Sequence, residues 1–115
     1  MSFDVKITRK AHIDILEMTS YISDVKKNNK AAVEHMEGVY SVISSLSEDA
    51  LKYQISNDVY LGSKKIRFAQ FRNFMIAYRA CEETQIVYVY GVLYGGRDLP
   101  TELGNAIDSE SQNVQ

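Results

Sequence analysis

The sequence predicts an α+β fold: a helical hairpin packed on one face of a mostly antiparallel sheet, in the order β-α-α-β-β-β. Three observations predict it. A short alternating segment opens the chain, two amphipathic helical stripes follow in the first half, and three closely linked strand-like segments fill the second.

Phe3, Val5 and Ile7 alternate with polar residues and read as the opening strand. Thr8 suits a helix N-cap, since its hydroxyl can accept from a backbone N–H two or three residues on. Ala11, Ile15, Met18 and Ile22 then recur at helical spacing, so the first helix runs to about Val25. Residues 26–30 form a polar connector, and Ala32, Met36, Val39, Ile43 and Leu46 share one face of a second helix. Gly38 in that helix costs about 1 kcal/mol relative to alanine, and close approach of the first helix is the expected compensation. Residues 47–63 admit a helical turn over 49–53 and a short strand over 59–61.

Strands follow at about 64–70, 73–80 and 85–94, joined by links short enough for an antiparallel meander. The last is apolar on both faces, as a central strand would be. If the first two fold about Arg72, Lys65 lies opposite Arg79 and Arg67 opposite Ala77. All three cations then share a face, away from Ile66, Phe68, Phe74, Ile76 and Tyr78. That face is either solvated or a docking surface for an acidic partner.

The charge distribution narrows the function. Residues 1–50 carry a net charge of -2, residues 51–100 +3 and residues 101–115 -3. A domain that lives on nucleic acid is usually basic throughout, so one local basic patch is the most this chain offers. The first twenty residues are too charged for a signal-peptide core. No apolar run approaches the roughly 20 residues of a membrane span, so no membrane association is expected. The lone Cys81 fits a reducing, cytoplasmic setting and reads as an incidental thiol at a hairpin tip. His12 and His35 have no partners at metal-ligand spacing, so no metal or cofactor is expected. Both read as solvated helix positions, far from the basic strands. Residues 1–100 are expected to form one domain, and 101–115 an acidic, frayed tail with one short helical segment around 102–106.

Particular residues resemble the ParE/RelE toxin family. They are the first helix, with Ala11-His12-Ile13-Asp14-Ile15-Leu16 and Tyr21-Ile22; the run from Ile66-Arg67 through Arg72-Asn73-Phe74 to Ala77-Tyr78-Arg79; and Val92-Leu93-Tyr94-Gly95-Gly96-Arg97-Asp98-Leu99-Pro100. The resemblance covers about residues 3–100. It implies the toxin of a type II, plasmid-stabilisation module in a bacterial cytoplasm, neutralised by a cognate antitoxin. ParE-like members act on DNA gyrase, and RelE-like members cut messenger RNA on the ribosome.

RNA cleavage without a metal needs a base, cations on the phosphate and an acid for the leaving oxygen. The family's nucleases take these from a basic cluster on the sheet and a tyrosine or histidine near the C-terminus, which points to Arg67, Arg79, Tyr94 and Arg97 here. Met75 falls where such nucleases place a phosphate-binding arginine, and beyond Arg97 there is no Lys, Arg, His or Tyr. The gyrase-binding reading asks for recognition rather than bond-breaking and is preferred, with no direct contact to nucleic acid. An endoribonuclease is the alternative, and an inactive relative on the same scaffold is a third reading, kept alive by Gly96 where the family has a basic residue. Lys65, Arg67, Arg72, Arg79, Tyr94, Arg97 and Asp98 are the candidate contacts to target or antitoxin. Arg97-Asp98 equally suits a local ion pair. The antitoxin is expected to order on binding, as a helix or added strand across an apolar groove, its acidic residues meeting Lys65, Arg67 and Arg79.

Overall fold

A computed structural model describes residues 2–95. Its elements are β1 (Asp4–Ile7), α1 (Arg9–Ser20), a π-helical turn (Tyr21–Val25), α2 (Asn29–Asp49), α3 (Val59–Ser63), β2 (Arg67–Phe71), β3 (Phe74–Cys81) and β4 (Ile86–Tyr94). The strands form one sheet in the order β1-β4-β3-β2, with β1 parallel to β4 and the other pairings antiparallel. The fold class is α+β, and the strand predicted to be central is central.

Thr8 turns the chain from strand into helix and fastens both. Its hydroxyl accepts from the Ala11 N–H (3.3 Å) and donates to the Val89 carbonyl (2.9 Å), which also receives the Thr8 N–H (3.1 Å). The β1–β4 pairing ends at Ile7 and Val89. Beyond it α1 covers the edge of β4, where Asp14 Oδ2 accepts from the Val92 N–H (3.0 Å) while also pairing with Lys10 (2.8 Å). The predicted stripe of Ala11, Ile15, Met18 and Ile22 is buried throughout. After the π-helical turn, Asn28 caps α2 by accepting from the Ala31 N–H (2.9 Å), so the helix takes in Asn29 and Lys30, the last two residues of the expected connector. Ala32, Val39, Ile43 and Leu46 pack on Ile76, Tyr78, Val87, Val89 and Val92 from the sheet, with Met36 partly buried beside them.

Gly38 is not matched to the first helix. A Cβ there would lie 2.0 Å from Cζ of Phe71, so the close neighbour is an aromatic ring from β2.

Residues 47–63 also depart from one expectation. The chain turns after Asp49, bridges Ile55 to Arg67, and then forms α3 over the 59–61 segment whose composition suits a short strand. Asp58 decides this by accepting from the Leu61 N–H (2.9 Å) as an N-cap. Leu61 and Ile66 bury themselves with Ala77, Tyr90 and Leu93 on the sheet face opposite the two long helices. None of the helices among the described residues is long and apolar enough to cross a membrane.

Candidate functional site

The hairpin between β2 and β3 fixes where the candidate side chains point. Its link is two residues, Arg72 and Asn73, and Arg72 takes a positive φ of 54°. Arg67 therefore pairs with Tyr78, not Ala77, and Phe68 pairs with Ala77. This is one residue out from the register expected for a fold about Arg72, and a shift of one exchanges the faces of the strand. β2 also begins late. Lys64 and Lys65 close α3, with Lys65 exposed at φ 59°, and Ile66 is held outside the strand by donating from its N–H to the Leu61 carbonyl (3.0 Å).

The predicted cationic face is consequently divided. Arg67 lies on the helix side with Tyr78, where its guanidinium donates to the carbonyls of Tyr53 and Leu51 and ties the loop after α2 to the edge of the sheet. Tyr78 sits beneath it, fully buried, its hydroxyl donating to the Ala50 carbonyl (2.7 Å). Burial raises the Tyr78 phenol to about 12, against a smaller lowering by Arg67. Arg79 points to the opposite face, half-buried, with its guanidinium 5.8 Å from the Tyr88 ring centroid. The register shift within β3–β4 sharpens this second face. Gly91 opposes Ala77 and Val89 opposes Tyr78, so Tyr90 is the extra residue of a β-bulge. Tyr90 is fully buried, and its hydroxyl has no hydrogen-bond partner among the described residues.

What the fold does bring together is an aromatic group at the β2–β3 turn. The Arg72 guanidinium lies 5.1 Å from the Phe71 ring centroid. His35, from α2, meets Phe71 and Phe74 edge-on at 6.0 and 5.9 Å, and Phe74 in turn contacts Tyr94 at 5.5 Å. Gly95 secures the end of β4 here by donating from its N–H to the Asn73 carbonyl (2.9 Å). His35 is thus half-buried against the hairpin, not a solvated position remote from the strands. Its Nδ1 lies 2.8 Å from the Ala31 carbonyl, which assigns the neutral ring's proton to Nδ1 and leaves Nε2 an acceptor. Tyr94 is about half exposed (49%), so this group presents an accessible phenol, an aromatic surface and a guanidinium side by side. Such surfaces recognise planar or cationic groups by stacking. His12, by contrast, is exposed, and its Nδ1 lies 3.4 Å from the Tyr40 hydroxyl.

Sequence reasoning missed His35 and Phe71. The available signal was His35 and Gly38 three residues apart, which puts an imidazole beside a notch on one helix face. Cys81 ends β3 half-exposed, its thiol pKa lowered by hydrogen bonding to the Thr84 side chain and then to the Thr84 backbone. Among the described residues no cluster of His, Cys, Asp and Glu is arranged to hold a metal ion. Arg97 and Asp98, like the predicted tail, lie outside the described residues.

No family model and no curated protein sequence matches the chain. Solved structures do. A structure of the chromosomal ParDE system from P. aeruginosa superposes with a TM-score of 0.65 at 14% identity, covering 81% of this chain and 96% of that one. The RelBE2 toxin–antitoxin complex from Mycobacterium tuberculosis gives 0.57 at 16%, covering 82% and 99%. A mutant of the E. coli toxin RelE in the free state gives 0.61 at 10%, covering 90% and 94%. The architecture is that of a small α+β protein with a helical hairpin on a four-stranded mixed sheet. More particularly, it is the fold of the ParE/RelE toxins, spanning nearly the whole length of each of these three.

Proposed function

We propose that this chain is the toxin of a type II toxin–antitoxin module, ParE-like in acting by binding DNA gyrase, and neutralised by a cognate antitoxin. The fold it shares with ParDE and RelBE2 structures supports the toxin reading. The observation that carries the choice of binding over cleavage is the register of β2 against β3. It turns Arg67 toward loop carbonyls on one face and Arg79 toward Tyr88 on the other. Two guanidinium groups so divided do not converge on one scissile phosphate, as an RNA-cleaving site requires. Binding has no such demand. The aromatic group of Phe71, Phe74 and Tyr94 with Arg72 has the composition of a recognition surface, since aromatic residues and arginine dominate binding hot spots.

The same group favours the second reading in one respect. His35 and Tyr94 both flank Phe74, so an imidazole and a phenol stand near an aromatic surface on which a base could stack. An endoribonuclease working from this end of the sheet would use Tyr94 and Arg72, not the Arg67 and Arg79 pair.

Precursor labelling after induced expression in a bacterial host separates the readings. DNA synthesis falling first supports gyrase, with inhibition of supercoiling by purified gyrase as the following test. Protein synthesis falling first overturns it in favour of the nuclease, and no fall in either points to an inactive relative. The antitoxin is an acidic segment that orders on the toxin, and Arg72→Glu with Arg79→Glu should weaken its binding in a salt-sensitive way. Unchanged affinity at low salt would remove these cations from the antitoxin surface.

A further inference from the structure

The core accounts for one side of α1 and leaves the other unexplained. Ala11, Ile15, Met18 and Ile22 are buried, yet Ile13, Leu16, Tyr21 and Val25 are 46%, 64%, 51% and 62% exposed. Arg9, Ile13, Leu16, Ser20 and Asp24 follow at steps of four, three, four and four, which aligns them on the outward face. The π-helical turn over Tyr21–Val25 winds more widely than an α-helix and swings Asp24 and Val25 toward this face while Ile22 stays buried. Ser20, the small residue of the series, lies in a shallow depression walled by Leu16, Glu17, Tyr21, Asp24 and Val25. Arg9 and Asp24 stand exposed at the two ends, and neither has an ion-pair partner among the described residues.

This arrangement is its own complement. Arg9 precedes Leu16 by seven residues, and Asp24 follows Glu17 by seven. Turn a second copy antiparallel about an axis beside Leu16 and Glu17, and Arg9 of each meets Asp24 of the other. Ile13 of each then enters the depression at Ser20, and the two Leu16 side chains meet near the axis. A twofold interface of this kind forms every contact twice from one patch. An unrelated helix would need its own acid and base at matching distances, whereas this chain already carries both. We propose that the outward face of α1 and the π-helical turn pairs with a second copy of the chain in this antiparallel register. One helix per copy is a small interface, so pairing belongs in the micromolar range, at roughly 1–100 μM.

Sedimentation equilibrium of the full chain across that range tests it. The wild type should dimerise, and Arg9→Asp or Asp24→Arg alone should weaken dimerisation by about tenfold, because each change turns two attractions into repulsions. Arg9→Asp combined with Asp24→Arg in one chain restores the pairing and should recover the wild-type constant. All these positions are exposed, and circular dichroism confirms that each variant is folded. Three outcomes overturn the proposal: a chain monomeric at several hundred micromolar, which leaves the face to a helix of another protein; a dimer indifferent to either single reversal; or a double reversal that fails to restore.

Discussion

Gly38→Ala should destabilise the protein, against the sign that helix propensity gives. In an open helix the change would stabilise by about 1 kcal/mol. Here the added Cβ would lie 2.0, 2.3 and 2.6 Å from Cζ, Cε1 and Cε2 of Phe71. Ordinary carbon contacts sit at roughly 3.5–4.0 Å, so the ring must withdraw by about 1.5 Å. It is not free to do so cheaply, because His35 meets it edge-on at 6.0 Å and the Arg72 guanidinium covers it at 5.1 Å. Overpacking of this kind costs roughly 1–3 kcal/mol, which leaves a net loss of about 1 kcal/mol after the propensity gain. The informative comparison is a double-mutant cycle. With Phe71→Ala as background the obstacle is gone, and Gly38→Ala should become stabilising by about 1 kcal/mol. Urea unfolding followed by far-ultraviolet circular dichroism reads both legs, provided the denaturant slope is common to all four proteins. Stabilisation by Gly38→Ala beside an intact Phe71, or the same effect in both backgrounds, would refute the packing argument.

Two fully buried tyrosines should answer differently to losing their hydroxyls. Tyr78→Phe strands the Ala50 carbonyl and should cost about 1–2 kcal/mol, whereas Tyr90→Phe removes an oxygen with no hydrogen-bond partner and should be neutral or stabilising in the same urea titration. Tyr78 also makes stability depend on alkaline pH. Its phenol is raised from 10.0 to about 12, so its contribution is complete below pH 10 and is lost as pH rises toward 12. That loss amounts to roughly 3 kcal/mol, and unfolding curves at pH 9 and 12 should differ by less in Tyr78→Phe than in the wild type. Asp14→Ala should cost about 1–3 kcal/mol by stranding the Val92 N–H, and faster amide exchange at Val92 is the specific readout. Arg67→Ala should loosen residues 51–53, seen as earlier proteolytic cleavage there, because both carbonyls lose their guanidinium partner.

The helical layer was legible because its signals are local. A stripe at helical spacing and a hydroxyl at Thr8 need no knowledge of distant residues, and the burial of Ala11, Ile15, Met18 and Ile22 follows from them. The cationic face failed for the opposite reason. Its prediction hung on one residue in a hairpin link, and whether Arg72 alone or Arg72 with Asn73 forms that link cannot be read from alternation, which fits both. Phe68 and Ile66 are apolar enough for either face, and only the small outer cluster with Leu61 and Tyr90 assigns them. Gly38 does signal a close neighbour, but the neighbour is a ring some thirty residues away in sequence. Pairings of that range are set by topology, not by spacing. The Asp58 cap is a local signal too, but the strand-like composition of Val59-Tyr60-Leu61 masks it.

The aromatic group and the outward stripe of α1 share no residue, so target recognition and self-pairing can be perturbed separately. His35, Phe71, Arg72, Phe74 and Tyr94 gather where α2 meets the β2–β3 turn. Arg9, Ile13, Leu16, Ser20 and Asp24 lie on the side of α1 turned away from the sheet. If recognition of the target works from the first group and self-pairing from the second, variants should divide cleanly. Tyr94→Ala with Arg72→Ala should relieve growth arrest while leaving the sedimentation of the chain unchanged, and Arg9→Asp should do the reverse. Leu16→Glu offers an independent check, since it adds two like charges beside the Glu17 pair near the proposed axis without touching either end of the stripe. Growth arrest lost together with self-association in Leu16→Glu would mean that the paired form is the one that binds the target, and the two surfaces would then have to be treated as one.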